Sequence, residues 1–592
     1  MQTDGIEESS ITRARLWYAA LLVVFGVFTL RLFYLQVIRY DHFKTAARND
    51  QVHEYEVMPE RGTIYGLQSD GEAVPLVTNQ RLFTLYGDPT IVKDAAKVAR
   101  TLAPVVGANE TEMRDLLQLK NKKYVVLAKR LSKTQSRQVL AYKFPGVGTQ
   151  ERNYRTYPQG TMAAQVLGFV DEEGKGRYGL EQSMNKTLTG TTGWLKSVTD
   201  VNGVPLAASD NNLSRKPVAG ANLTLTLDVG MQTQLEDIMK RAQEKFRSKT
   251  VSAVVLETQT GAVKAMANYP TYDPAQFQKV QDGNVFQNAA VTNAIEPGSI
   301  TKVLTVAAGI DTGAITKNSG YSDPGKWTID GAKVLNVAEG TGSGPQSVRS
   351  LLDKSLNTGA TWVLMQMGGG RLNETGRTKL YDYFVDHYRI SKVTGIEQGY
   401  ESTGYVPEAA DNGAGINLTY ANMSFGQAYN ATAVQMGAAL SAVVNGGTYY
   451  RPYLVKATAD ATGKTTKNEP VVLKNGVVSA QTSKDMVELL DYVTESHVKA
   501  GFKNMDFGSE YSVGGKTGTA EIAKTGGGYR TDAYNGTFMG YVGGDKPQYT
   551  IVVYNIEPHG YSGFAGAQTG QPVFAEIAHM LINNYDVTPK SR

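Results

Sequence analysis

The chain has 592 residues, 41% of them hydrophobic and 20% charged, which is enough apolar material for two or three domains rather than one. Sixty lysines and arginines against 56 aspartates and glutamates leave a net charge of only +4, which argues against a nucleic-acid-binding surface. Cysteine is absent, so disulfides, thiol catalysis and thiolate metal sites are excluded together, and the chain suits an oxidising compartment.

From Leu16, LWYAALLVVFGVFTL runs 15 residues without a charge; Arg31 interrupts, and LFYLQVI continues to Ile38. A membrane-spanning helix needs roughly 20 mostly apolar residues, so residues 16–38 are predicted to span once, with Arg31 snorkelling toward an interface. Arg13 and Arg15 flank the start and Trp17 and Tyr18 can anchor it, which makes 1–15 a cytoplasmic tail. The remainder is then expected outside the cytoplasm. A cleaved secretory signal is the competing reading. The run is long for one and no small-residue cleavage site follows it, so a retained anchor is preferred.

Residues 39–220 read as a mixed α/β region. DAAKVARTLAPVV and NETEMRDLLQLKN are helix-periodic, the second capped by Asn109, and KYVVLA reads as a strand. Turn-rich ASDNNLSRKPVAGAN (208–222) marks a boundary to a second domain, 221–592. There LTLTLD alternates as a strand, MQTQLEDIMKRAQEKF is helical, and TVSAVVLETQTGAVKAMANY reads as a hairpin turning at Gln259–Gly261. MGGGR (367–371) follows a helical stretch rather than a strand, so it is a helix stop and not a phosphate loop. NGTFMGYVGG and QYTIVVYNIEP give two late strands, and QPVFAEIAHMLINNY a terminal helix. Strands at both ends of a helix-rich middle predict a sheet closed by the two ends of this domain. The six histidines are scattered without metal-ligand spacing, so no metal or cofactor is expected.

The chemistry-bearing stretch is EPGSITKV, with Ser299 and Lys302 one helical turn apart after Pro297-Gly298. Residues three apart share a face, so Lys302 can reach the Ser299 hydroxyl, and a helix N-terminus favours charge developing there. The lysine is a base only when neutral, which takes burial or a nearby cation to bring its pKa down from ~10.4 toward ~7–8. Alone, the motif reads more readily as a capped helix start with a solvated lysine. Two further pieces shift the balance. DKSLNTGA places Ser355 and Asn357 at i, i+2, predicted to point the same way from a short extended loop. VGGKTGTAEI sets Lys516, Thr517, Gly518 and Thr519 on a strand. Lys516 can supply the cation that keeps Lys302 neutral, and Gly518 can let a substrate backbone pair along the strand edge. In this order, 56 and 161 residues apart (Ser299 to Ser355, Ser355 to Lys516), the three form a specific pattern.

EPGSITK, SLN and KTGT resemble the three active-site motifs of the class B penicillin-binding proteins, the peptidoglycan D,D-transpeptidases. The resemblance covers nearly the whole chain. RTYPQG (155–160) and GRYGLEQSMNKTLTG (176–190), with Glu181 in the acidic position, resemble motifs of the family's membrane-proximal domain. PERGTIY begins a further motif whose usual Asp-Arg-Asn-Gly is replaced by GLQSDG, with Asp70-Gly71 as a displaced remnant. The glutamate with which class A β-lactamases deacylate has no counterpart motif after Asn357.

The resemblance implies an α+β fold: an antiparallel sheet flanked by helices plus an all-helical lobe, on an N-terminal α/β pedestal (dimerisation) domain at 39–220 behind the membrane helix. It implies Ser299 as the nucleophile, Lys302 as its base, and an oxyanion site at the N–H groups of Ser299 and Thr519. Ser355 would relay a proton to the leaving D-alanine, Lys516 would tune Lys302 and Ser355, Asn357 would hold the substrate amide, and Thr517 and Thr519 the terminal carboxylate. Expected partners are stem pentapeptides ending in D-Ala-D-Ala, as donor and acceptor, β-lactams, a SEDS-type glycan polymerase and divisome proteins. The expected location is the cell membrane, single-pass. MSFGQAYNATAVQM (423–436) resembles division-type members more than elongation-type ones. A non-turnover β-lactam sensor or wall scaffold is a second reading, and a β-lactamase or carboxypeptidase a third.

Overall fold

Two stretches more than 240 residues apart build the central sheet. Thr250–Glu257 and Val263–Tyr269 form the expected hairpin, and Pro547–Ile556, Tyr529–Gly543 and Ser512–Ala523 complete five antiparallel strands. The order runs from Val263–Tyr269 through Thr250–Glu257, Pro547–Ile556 and Tyr529–Gly543 to Ser512–Ala523 at the edge. Side chains alternate between two cores. Val251, Ala253 and Val255 pack under the helices Val229–Phe246 and Gln571–Asn584, while Val254 and Leu256 face the larger helical lobe. Because both faces are covered, Thr250–Glu257 and Pro547–Ile556 carry near-continuous apolar runs instead of alternating ones.

The helical lobe includes Thr301–Asp311, Val348–Asp353, Asn357–Met367, Ala433–Val444 and Ala480–Lys499. Ala433–Val444 is buried along its whole length, and its start is held by a capping box between Thr432 and Gln435. Asn357–Met367 stops at Gly368, in the glycine run assigned as a helix stop.

The computed structural model describes residues 4–44, 52–198, 213–336, 340–410, 413–524 and 526–591. It divides into one unit of 1–60 with 190–219 and another of 61–189 with 220–592. The smaller unit holds a helix, Asp4–Phe33, that runs on into a π-helical turn at Tyr34–Ile38. Within it Ala14–Ile38 is the one stretch among the described residues long and apolar enough to cross a membrane. The same unit has a three-stranded antiparallel sheet with Gly193–Val198 between Val52–Val57 and Leu213–Arg215. Of the segment 208–222 read as a boundary, 208–212 lies outside the described residues.

In the larger unit Asn222–Asp228 pairs in parallel with Ile64–Leu67 and antiparallel with Val455–Ala459, inside a seven-stranded sheet. That sheet also holds Ala73–Gly87, Val125–Leu131 and Val147–Thr156, which with the helices Ala95–Val106, Glu110–Leu117 and Lys133–Ala141 enclose a small separate core. Asn109 caps the second of these helices through the Glu112 N–H, as read from the sequence. The three pedestal motifs meet at one buried carboxylate. Glu181, fully buried, accepts from Arg61 Nε at 2.6 Å and from Arg155 Nε at 2.7 Å. Arg61 also donates to the Thr189 hydroxyl and Arg155 to Asn79 Oδ1. Asp70-Gly71 lies in the turn between Ile64–Leu67 and Ala73–Gly87, where Gly71 takes φ +89°.

Candidate active site

Ser299 lies in a 3-10 turn, Gly298–Ile300, that leads directly into the α-helix Thr301–Asp311. Gly298 has φ +68°, a conformation only glycine adopts freely, and its N–H donates to Gly426 O at 3.0 Å. A Cβ on Gly298 would press on the Thr519–Ala520 peptide, and one on Gly426 would overlap the Gly298 carbonyl. Pro297 O accepts from the Thr537 hydroxyl at 2.8 Å. The serine turn is thus wedged between the edge strand of the sheet and the 426–429 loop.

One turn on, Lys302 is completely buried. Its Nζ lies 2.8 Å from Ser299 Oγ, 2.8 Å from Ser355 O, 3.1 Å from Ser355 Oγ and 2.7 Å from Asn357 Oδ1. The Asn357 amide is oriented by its Nδ2, which donates to Leu335 O at 2.9 Å, so Oδ1 faces the lysine as an acceptor. Burial lowers the Lys302 pKa well below its ordinary value, and the Lys516 charge lowers it further. Lys516, 1% exposed, is itself brought down to about 8 by burial, while Asp353 opposes that shift. Lys516 Nζ donates to Thr517 O at 3.1 Å and Thr517 Oγ1 at 3.3 Å.

Ser355 is not in an extended loop as the i, i+2 spacing suggested. It takes a left-handed conformation, φ +57°, between the helices Val348–Asp353 and Asn357–Met367, and Asn357 is the first residue of the second. Both side chains still converge on Lys302, because the reversal turns Ser355 back toward the helix start. That start is held from behind. Thr358 N–H and Oγ1 donate to Asn336 Oδ1 and Asp323 Oδ1, and Asp323 Oδ2 accepts from the Ser343 hydroxyl.

Gly518 also has a different reason for being glycine. A Cβ there would run into the Thr537 hydroxyl and Pro297 O, so the missing side chain lets the serine turn sit against the strand. The Thr519 hydroxyl accepts from the Gly566 N–H at 3.0 Å, which leaves its own proton free to donate. Thr517 and Thr519 are half-buried.

Ser299, Lys302, Ser355 and Asn357 therefore share one amine. Lys516 acts on it through charge, and Thr517 to Thr519 form the wall beside Ser299. Three contributors were not picked out from the sequence: Asp353, Gly426 and the Asp323–Asn336 pair. Gly426 lies inside the MSFGQAYNATAVQM segment. His497, on the helix Ala480–Lys499, is held down to about 4 by burial and by the Lys516 charge.

Residues 251–579 match the model described as penicillin binding protein transpeptidase domain, and residues 56–225 match the penicillin-binding protein dimerisation domain. Stage V sporulation protein D of Bacillus subtilis is 30% identical over 98% of this chain and 88% of its own. Penicillin-binding protein PbpB of Mycobacterium tuberculosis is 30% identical over 98% of this chain and 86% of its own. Among solved structures, penicillin binding protein 3 of Mycobacterium tuberculosis complexed with ampicillin superimposes with a TM-score of 0.67 at 26% identity, covering 91% of this chain and 98% of that one. Its complex with aztreonam gives a TM-score of 0.67 at 25% identity, covering 90% and 98%. With the transpeptidase model matching more than half of its residues, this chain belongs to the penicillin-binding protein transpeptidases, as a class B peptidoglycan D,D-transpeptidase carrying the dimerisation domain.

Proposed function

We propose that the protein crosslinks peptidoglycan through an acyl-enzyme on Ser299. The observation that carries this reading is the environment of the Lys302 amine. Ser355 O and Asn357 Oδ1 can only accept, so they take the two hydrogens of a neutral amine. Its lone pair is then left for the Ser299 hydroxyl at 2.8 Å. Lys302 removes the Ser299 proton as Oγ attacks the carbonyl of the penultimate D-alanine of a stem pentapeptide. The tetrahedral oxyanion is received by the N–H groups of Ser299 and Thr519, and one such donor is worth roughly 3–4 kcal/mol. Ser355 passes its proton to the nitrogen of the leaving D-alanine and takes in its place the proton that Lys302 removed from Ser299, across the 3.1 Å between Lys302 Nζ and Ser355 Oγ, which returns Lys302 to its neutral form. Burial, with charged Lys516 adding to it, keeps Lys302 neutral, and Lys516 polarises Ser355. Asn357 orients the substrate amide, and Thr517 and Thr519 hold the terminal carboxylate. An amine of a second stem then attacks the ester, forming the crosslink and restoring the Ser299 hydroxyl. β-Lactams, which mimic the D-Ala-D-Ala end, stop at the ester.

The apolar helix 16–38 anchors the protein with residues 1–15 in the cytoplasm and the catalytic domain outside, next to a SEDS-type glycan polymerase and divisome proteins. The role is septal. Supporting this, MSFGQAYNATAVQM resembles division-type members more than elongation-type ones, and peptidoglycan D,D-transpeptidase FtsI of Buchnera aphidicola is 24% identical over 95% of this chain. An elongation role is the alternative, since peptidoglycan D,D-transpeptidase MrdA of Acinetobacter baumannii is 26% identical over 96% of it. Supplying lipid-linked pentapeptide substrate together with a glycan polymerase tests the activity. Crosslinked product with the native chain and none with Ser299→Ala supports it; β-lactam acylation without crosslinks would favour a sensor.

A further inference from the structure

Glu296, three residues before the serine, is a half-buried carboxylate that the reaction itself does not use. Its Oε1 accepts from the Ala428 N–H at 2.9 Å and from the Tyr529 hydroxyl at 3.1 Å. Its Oε2 is buried without a hydrogen-bond partner. Ala428 takes φ +61°, a conformation costly for a residue with a Cβ, so something must hold it there. Tyr529 opens the strand Tyr529–Gly543 at the end of the hairpin it makes with the edge strand carrying Lys516 to Thr519. A single carboxylate thus joins three segments: the serine turn, the 426–429 loop and the far end of the Lys-Thr-Gly-Thr hairpin.

Other contacts repeat the same seam. Gly298 N–H donates to Gly426 O, the Thr301 and Tyr429 hydroxyls are 2.6 Å apart, and Ile295 bridges Ala431. On the hairpin side Gln427 Nε2 donates to Glu521 Oε2. Burial raises the Glu296 pKa, and Glu521 raises it further. The serine turn has no covalent tie to the hairpin within 200 residues of chain, so their spacing depends on contacts of this kind.

We propose that Glu296 is a positioning residue. By accepting from Ala428 and Tyr529 through one oxygen, it fixes the distance between the Ser299 turn and the Thr519 backbone, and so sets the rate of acylation more than the affinity for ligand. The role needs an acceptor at Oε1 and not a negative charge. It rests on Ser299 being the nucleophile, yet the two fail separately: Ser299→Ala leaves no covalent adduct, whereas a Glu296 variant still forms one, slowly.

The test is stopped-flow acylation of the full-length protein by a fluorescent penicillin, resolving the dissociation constant of the initial complex from the first-order acylation step. Glu296→Ala is expected to slow acylation by about ten- to a hundredfold, with the dissociation constant within about threefold of native. Glu296→Gln, which keeps the acceptor, is expected to stay within about threefold in both, and Tyr529→Phe to lose about three- to tenfold in the acylation step. Glu296→Ala acylating at the native rate, or Glu296→Gln as slow as the alanine variant, overturns the proposal. If Glu296→Ala does not fold, Tyr529→Phe decides: a native acylation rate there overturns it.

Discussion

Replacing Lys516 by methionine should make the protein more stable while destroying its reactivity. The ammonium is 1% exposed and reaches Thr517 O and Thr517 Oγ1, neither of which carries a charge. Its pKa falls from 10.5 to about 8 through burial, which corresponds to about 3 kcal/mol of folding free energy. The folded-state value lies below the unfolded one, so the unfolded chain binds the extra proton between about pH 8 and 10.5. The destabilisation is therefore complete below pH 8 and fades as pH rises through that window. Methionine fills much of the same volume without the charge. Lys516→Met should then unfold roughly 4 °C higher than the native chain at pH 6–7, with the advantage shrinking toward pH 10. The same change removes the cation that lowers Lys302, so Lys302 takes up a proton more readily and acylation collapses. Thermal unfolding of the detergent-solubilised protein from pH 6 to 10, beside penicillin labelling, reads both effects. A variant less stable than native at pH 6, or a difference that does not change with pH, would refute the reasoning.

Three other expectations concern different links. If charged Lys516 is required, acylation should fall above about pH 8, and Asp353→Asn, which removes the charge that raises Lys516, should move that alkaline limb downward; a limb that stays in place counts against the Asp353 coupling. Glu181→Leu leaves Arg61 and Arg155 buried without their counter-ion and should cost about 3–5 kcal/mol in urea unfolding, whereas Glu181→Leu combined with Arg61→Met and Arg155→Met should recover most of it. Gly518→Ala should slow acylation by about tenfold or more because the serine turn is pushed off the strand, with crystallographic displacement of Ser299 as the check.

Much of this architecture was legible because its signals are local. The hairpin of Thr250–Glu257 and Val263–Tyr269, the cap at Asn109 and the stop at Gly368 each depend on a few adjacent residues. Ser299 and Lys302 could be paired from helical spacing alone. What could not be read from local signals depends on chain brought from far away. The left-handed Ser355 follows from two helices meeting, not from its neighbours' propensities. Gly518 and Gly426 are glycines because chain distant in sequence lies against them, the Thr537 hydroxyl and Pro297 carbonyl at one and the Gly298 carbonyl at the other, which no local pattern reveals. Asp353 looks like an ordinary helix-end carboxylate until the fold brings Lys516, more than 160 residues later, within reach of its charge. The sharing of Asn222–Asp228 between Ile64–Leu67 and Val455–Ala459 is likewise invisible to periodicity, which identifies a strand but not its partners.

The proposed reaction turns on a serine made nucleophilic by a buried, unprotonated lysine. Mass spectrometry of the protein after brief exposure to benzylpenicillin at pH 7, followed by peptide mapping, tests this most directly when run beside Lys302→Ala. One penicilloyl group on the peptide bearing Ser299 in the native chain, and almost none in the variant, is the predicted result. An adduct on another residue, or equal labelling of Ser299 without Lys302, would contradict it.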